Sequence, residues 1–443
     1  MGGHRRWRLP PGGGAQGQVG ERLSAADASN VVLDATDQVN VVLLAGLLGP
    51  GGWVSPAGTA DLDRLRAVVA DRLGREGDGP LRRFSQRVLP AGRHLVWVPC
   101  RPDLTRHVRT VGPVDGRAGF AELCASLMTQ PLPKDRPLWE LLVAPGATPE
   151  GPGMVLRVHH AVADGAAGVG LLSLLLDQRP GTDRRNTAVP PTTPAPAPPG
   201  ERPARLSTWL TGVSRVVAVV RARIPPTVLL GPIGARRSVA FAEVDVGGLA
   251  RGARGSGATV NDALLAAVAT AVEAALTADG HPVPPVLPAS VPVALPDHRG
   301  SGNAVGVMLV DLPTGEPDAG RRLTAIAATT AAAKADARRQ GTLELTRTRW
   351  GARLFARLAR RQRLVALFVT NVRGPRDPLA LGGAPLRRAW PVTPLQGNVR
   401  LGISALSYAG RLGCTVHADG DVLRADLLAA ALQEELQRIA ERR

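Results

Sequence analysis

The stretch from Met154 to Gly165 constrains this chain most. The apolar run Met154-Val155-Leu156-Arg157-Val158 leads into two adjacent histidines, His159 and His160, and then into an Asp164-Gly165 turn. Ala166, Ala167 and Gly168 follow, opening a small-residue helix start that runs into leucines. A short apolar run closed by a turn signal reads as a buried strand. Side chains alternate along a strand, which places Leu156, Val158 and His160 on one face and Val155, Arg157 and His159 on the other. The two imidazoles therefore cannot converge on one small reacting group. That separation disfavours a shared metal and assigns one histidine to proton transfer and the other to structure. His160, nearer the turn, is the expected base, with His159 as its partner. Asp164 reads either as a helix N-cap or structural ion pair, or as a carboxylate relaying onto imidazole. Gly165 supplies a backbone conformation closed to other residues.

Composition narrows the class. The chain has 443 residues, 44% of them hydrophobic, enough for two or three domains and an ample core. Lys and Arg exceed Asp and Glu by 54 − 37, a formal net charge of +17. Such a surface is drawn to phospholipid headgroups, coenzyme-A phosphates or nucleic acid. No nucleic-acid motif accompanies the charge and aromatics are few, so nucleic acid is not an expected partner. Cys100, Cys124 and Cys414 are too widely spaced for a metal knuckle or a disulfide framework, and no metal is expected. Residues 1–22 read as a disordered basic extension rather than a secretory signal. No uninterrupted apolar run long enough to span a bilayer is apparent, so the expected location is cytoplasmic, with peripheral contact at the inner membrane face or a lipid droplet.

Two halves emerge along the chain. Residues 23–179 mix strand and helix patterns: Val39 to Leu48 is a buried apolar run, Asp61 to Leu73 has helical spacing, and His94 to Val98 looks like a strand. Residues 180–235 form a proline-rich linker and crossover, in which Arg205 to Gly231 reads either as an interfacial amphipathic helix or as a helix packed across the halves. Residues 236–443 form the second half. Thr259 and Asp262 spell a helix start, and Val260, Leu264, Val268 and Val272 recur every four residues behind it. Strand-like stretches follow at Ser290 to Ala294, Val305 to Leu312, Leu364 to Asn371 and Leu401 to Ser407, and a last helix spans Ala425 to Ile439. The expected fold class is α/β, a two-layer α+β arrangement in two halves.

The motif His-His-x-x-x-Asp-Gly is the signature of a large superfamily of thioester-using acyltransferases, and further blocks resemble the bacterial wax ester synthase/acyl-CoA:diacylglycerol acyltransferase family. They are Pro137-Leu138-Trp139-Glu140, Thr259-Val260-Asn261-Asp262, Gly302-Asn303, Leu312-Pro313-Thr314-Gly315-Glu316, Val369-Thr370-Asn371-Val372-Arg373-Gly374-Pro375 and Ile403 to Gly410. They run in order from about residue 23 to 440. One departure stands out: the family's first block usually has a Met-His pair where this chain has Val39-Asn40. The resemblance implies two pseudo-symmetric chloramphenicol-acetyltransferase-like domains with the active site between them, entered by a tunnel from each face. It implies transfer of a long-chain acyl group from acyl-CoA to diacylglycerol or a long-chain alcohol, in triacylglycerol or wax ester synthesis. Trp139, Asn261, Asn303 and Asn371 become candidate substrate-binding residues. Each has an ordinary alternative: core packing for Trp139, helix capping for Asn261 and turn chemistry for Asn303 and Asn371. No serine or cysteine lies in a nucleophile elbow, so transfer is expected to be direct, with coenzyme A entering only as part of the substrate and no cofactor. Two readings stay beside this one: the same fold acting on a secondary-metabolite hydroxyl or amine, and a catalytically weak lipid-surface protein.

Overall fold

A computed structural model describes residues 6–8, 19–34, 38–75, 79–163, 174–177, 224–294, 305–340 and 357–442. Val41–Leu48 (β3) and Gly153–His159 (β8) pair antiparallel at the centre of a six-stranded sheet. Trp139–Ala144 (β7) and Val108–Thr110 (β6) extend it on one side, and Ala384–Val392 (β14) and Ala380–Leu381 (β13) on the other. Residues of β3 alternate between two cores. Leu44 and Leu48 face a cluster with Leu65, Val69 and Leu73 of the helix Leu62–Arg75, whereas Val41, Leu43, Ala45 and Leu47 face Phe120 and Cys124 of the helix Gly116–Leu127. Along β8, Leu156 and Val158 join the first cluster and Val155 the second, as two-sided burial requires.

The second six-stranded sheet runs Val305–Leu312 (β11), Leu287–Ala294 (β10), Leu367–Arg373 (β12), Leu401–Tyr408 (β15), Arg411–Asp419 (β16) and Arg237–Asp245 (β9). The helices Val260–Ala278 and Ala425–Ala440 pack together against it in one apolar cluster. The first of these begins as its sequence dictates. Thr259 Oγ1 accepts from the Asp262 N–H while the Asp262 carboxylate accepts from the Thr259 N–H, closing a reciprocal cap. This helix is 19 residues long and, by length and composition, apolar enough to cross a membrane, although Asn261, Asp262 and Glu273 interrupt its apolar run. It is nonetheless mostly buried inside the protein, as an alanine-rich core helix is.

Three boundaries differ from the sequence reading. First, Arg6–Arg8 (β1) and Val19–Arg22 (β2) form strands in a small antiparallel sheet with His94–Pro99 (β5) and Gln86–Ala91 (β4), so the basic extension is not wholly without structure. Glu21 is fastened there to Arg83 at 2.8 Å. Second, residue 236 does not divide the sheets, because β13 and β14 come from the second half yet complete the first sheet beside β3. Third, of the Arg205 to Gly231 segment, residues 205–223 lie outside the described residues, and 224–231 hold no helix. β14 also leans on β15 and β16, and Ser404 Oγ donates to the Pro391 carbonyl at 2.7 Å, so one strand serves both lobes.

Candidate active site

β8 ends at His159, and the chain turns at once: the Val162 N–H donates to the His159 carbonyl at 2.8 Å. His160 therefore sits in the turn rather than on the strand, a correction to its expected strand position. Its N–H donates to the Asn40 carbonyl at 2.9 Å, which anchors it beside the start of β3. The separation of the two imidazoles holds. His159 is fully buried on the face of Arg157, whereas His160 is only half-buried.

A single short helix, Ala25–Leu33, addresses both rings. Its Asn30 places Nδ2 3.4 Å from His160 Nδ1, and Asp34, the residue capping its end, places Oδ2 3.6 Å from His159 Nε2. Residues four apart lie on one helical face, which is why adjacent histidines meet Asn30 and Asp34 respectively. The His159 ring is fixed on its other side, where Nδ1 accepts the Ala161 N–H at 3.0 Å. Its neutral form thus carries the proton on Nε2, directed at Asp34. Burial pushes the Asp34 carboxyl up. The contact with His159, the Asn40 N–H at 2.9 Å and the charges of His159 and Lys134 outweigh that and hold it below the usual carboxylate value. Lys134 Nζ lies 3.5 Å from Asp34 Oδ2 and also donates to the Asp34 carbonyl at 3.2 Å.

A string of amides leads from His160 to the second lobe. Asn40 Nδ2 donates to both the carbonyl and Oδ1 of Asn30 at 3.2 Å, and Gln396 Nε2 donates to Asn40 Oδ1 at 3.1 Å. Gln396 lies between β14 and β15, and the same loop receives a bond from Gln38 Nε2 to the Gly397 carbonyl at 3.0 Å. Asn30 and Gln396 did not figure among the expected site residues. Nor did Asn40; the Val39-Asn40 departure from the family's first block is the one signal that could have led to it. Below His159 on the same face, Arg157 is buried and pairs with Glu140 at 3.1 Å, and its Nη2 accepts no bond but donates to the Leu127 and Gln130 carbonyls at the end of the helix Gly116–Leu127. Burial pulls this guanidinium down and Glu140 opposes that.

The other expected residues scatter. Trp139 is buried among core side chains, stacked on His107 at 4.5 Å, with Nε1 donating to the Phe84 carbonyl at 2.9 Å, so it packs the core and its polar atom is satisfied there. Asn261 and Asn371 meet each other, Asn371 Nδ2 lying 3.4 Å from Asn261 Oδ1, which joins the helix Val260–Ala278 to β12. Asp164, Gly165 and Asn303 lie outside the described residues. Cys124 and Cys414 are buried, and burial pushes both thiols up, that of Cys414 to about 12, so neither offers a thiolate nucleophile.

Comparison with known proteins gives one consistent result. The family model "Wax ester synthase/diacylglycerol acyltransferase catalytic domain" matches residues 23–225, and the "WS/DGAT C-terminal domain" matches residues 301–440. A Mycobacterium tuberculosis (strain ATCC 25618 / H37Rv) protein named "Probable diacyglycerol O-acyltransferase" is 30% identical, with 94% of this chain and 95% of the relative covered. Among solved structures, a wax ester synthase/diacylglycerol acyltransferase from Marinobacter aquaeolei VT8 superposes with a TM-score of 0.69 at 21% identity, covering 95% of this chain and 99% of that one. A trichothecene 15-O-acetyltransferase from Fusarium sporotrichioides superposes with a TM-score of 0.62 at 11% identity, covering 98% and 97%. The two-domain chloramphenicol-acetyltransferase-like fold is thereby shown.

Proposed function

The chain belongs to the wax ester synthase/diacylglycerol acyltransferase family, and we propose that it transfers a long-chain acyl group from coenzyme A to diacylglycerol or a long-chain alcohol, with His160 as the general base. The observation that carries this is the contrast at the end of β8. One imidazole is buried and tied to Asp34, while its neighbour is half-exposed in a turn tied by amides to the loop of the second lobe.

In this reading His160 Nε2, on the side of the ring away from Nδ1, takes the proton of the acceptor hydroxyl. The alcohol oxygen attacks the thioester carbonyl carbon and a tetrahedral oxyanion forms. It collapses with cleavage of the C–S bond, and the imidazolium returns its proton to the departing thiolate. Base catalysis of this kind contributes about 10²–10⁴-fold. An Nε2 base carries its own proton on Nδ1, so Asn30 must present Oδ1 to the ring when the reaction starts. The amide as placed presents Nδ2. Asn40, oriented by the Asn30 carbonyl, favours that placement, so turning Asn30 over is part of readying the base. His159, Asp34 and Lys134 hold the turn. Asn261 and Asn371 remain candidates for polar contact with substrate from the second lobe. The excess of positive charge supports work at an anionic lipid surface on the cytoplasmic side.

Purified protein given labelled palmitoyl-CoA with dioleoylglycerol or hexadecanol should form the ester, and His160→Ala should lose about 10²–10⁴ of that rate. Undiminished ester formation by His160→Ala would remove the base assignment.

A further inference from the structure

Away from His160, a cavity of about 240 Å³ opens where the two lobes meet. β14 lines it with Arg387 and Arg388, β9 with Glu243, and the β15–β16 hairpin with Tyr408, Ala409 and Arg411. Three guanidiniums converge on the single carboxylate of Glu243: Arg388 Nε at 3.0 Å, Arg411 Nε at 3.5 Å and Arg117 Nη1 at 3.8 Å. Arg117 reaches Glu243 from outside the lining, its guanidinium lying over the Trp390 ring at 4.7 Å. Three cations on one anion leave an excess of two charges, and Arg387 raises it to three. Like charges gathered around one carboxylate repel one another, and a bound anion relieves that repulsion. Planar guanidinium forks that outnumber their one carboxylate suit phosphate oxygens.

The geometry points to a phosphate-binding site at Arg387, Arg388 and Arg411, serving the nucleotide end of the acyl-CoA donor; this rests on the acyl-CoA reading above. Register supports the donor as the source. β3 pairs Val41 with His159 and Leu47 with Arg388. Six residues of strand separate these points, roughly 20 Å at about 3.3 Å per residue. In coenzyme A the phosphates are likewise remote from the thioester, at the far end of the pantetheine arm. A phosphate bound here leaves the reacting carbonyl free to reach toward His160. An anionic lipid headgroup offers the same oxygens, and only measurement separates the two sources.

The test uses the full chain. Titration calorimetry with coenzyme A, with 3′-dephospho-coenzyme A and with inorganic phosphate is run on wild type, Arg387→Gln and Arg388→Gln/Arg411→Gln, each checked for folding by its melting temperature. Sedimentation with vesicles of phosphatidylglycerol and phosphatidylcholine forms the lipid arm. The double variant should bind coenzyme A about tenfold or more weakly, and exposed Arg387→Gln, which leaves the Glu243 pairs intact, should bind it several-fold more weakly. Weakened binding of phosphatidylglycerol vesicles alone would keep the phosphate site and overturn the nucleotide as its source. Unchanged affinity of both variants for coenzyme A, phosphate and anionic vesicles would overturn the site altogether. His160→Ala, titrated in parallel, should bind coenzyme A normally, so loss of catalysis is read separately from loss of the site.

Discussion

The two sides of the strand end at His159 and His160 differ in every physical respect except sequence. On one side an imidazole is fully buried, its tautomer fixed by a backbone N–H and its other nitrogen turned to a carboxylate. On the other an imidazole is half-exposed and touched by a neutral amide. A charged neighbour behind one ring builds rigidity. A neutral amide beside the other can change its hydrogen-bonding sense without moving charge. Two identical side chains in succession thus acquire different duties from the packing on either side of the strand.

The comparison can be broken by exchange. His160→Ala should abolish most ester formation, by about 10²–10⁴-fold, with little change in melting temperature, whereas His159→Ala should lower the melting temperature first. Equal effects of both on rate at unchanged stability would end the division of labour. Next in size is Arg157→Met, which leaves Glu140 to Arg109 alone and removes donors from the Leu127 and Gln130 carbonyls. Chemical denaturation should show a loss of about 1–3 kcal/mol.

Acid sharpens the contrast further. His417 in the second lobe is buried, and burial pulls its imidazole down to about 4 despite the hydrogen bond to the Thr393 carbonyl. The unfolded chain takes up that proton near pH 6.5, so folding stability falls as pH drops from about 6.5 toward 4, by up to about 3 kcal/mol. His417→Phe should flatten the melting-temperature profile in that window. Asp34 acts lower. A carboxyl held below its ordinary value stabilises the fold above about pH 4 and loses that contribution as pH falls through the lowered value. Asp34→Asn should therefore reduce stability at neutral pH and remove part of the acid limb below about pH 4. The smallest effect is expected at Asn30. Asn30→Ala should slow ester formation several-fold, while Asn30→Asp, which offers only acceptors to Nδ1, should recover kcat in steady-state assays.

Much of this was legible in local pattern. The apolar run before the histidines became β8, the Thr259–Asp262 spacing became a reciprocal cap, and Val305 to Leu312 was read as a strand at its observed limits. Local pattern could not show β14 crossing to the first sheet, since that pairing joins residues more than 300 positions apart and leaves the strand's own composition unchanged. β9 escaped because its exposure does not alternate, one face meeting the helix Gly116–Leu127 and the other the helix Ala425–Ala440. The amide string is invisible for the same reason. Its bonds span 130 residues from Asn30 to His160 and 356 from Asn40 to Gln396, and asparagine carries no periodic signal. Trp139 shows the converse. Its place in a family motif leaves substrate contact and core packing both open, and its ring and N–H are engaged in packing.

The loan of β14 limits how the molecule can be taken apart or pried open. Hinging the lobes like a shell would either strip Leu386 to Val392 from Leu48 to Leu43 or tear β14 from β15 and β16, where Ser404 holds the Pro391 carbonyl. Substrates must accordingly thread in through gaps, with the hemispheres staying zipped. A fragment stopping before residue 380 would carry an open sheet edge and should aggregate, so neither half can be produced alone as a faithful miniature.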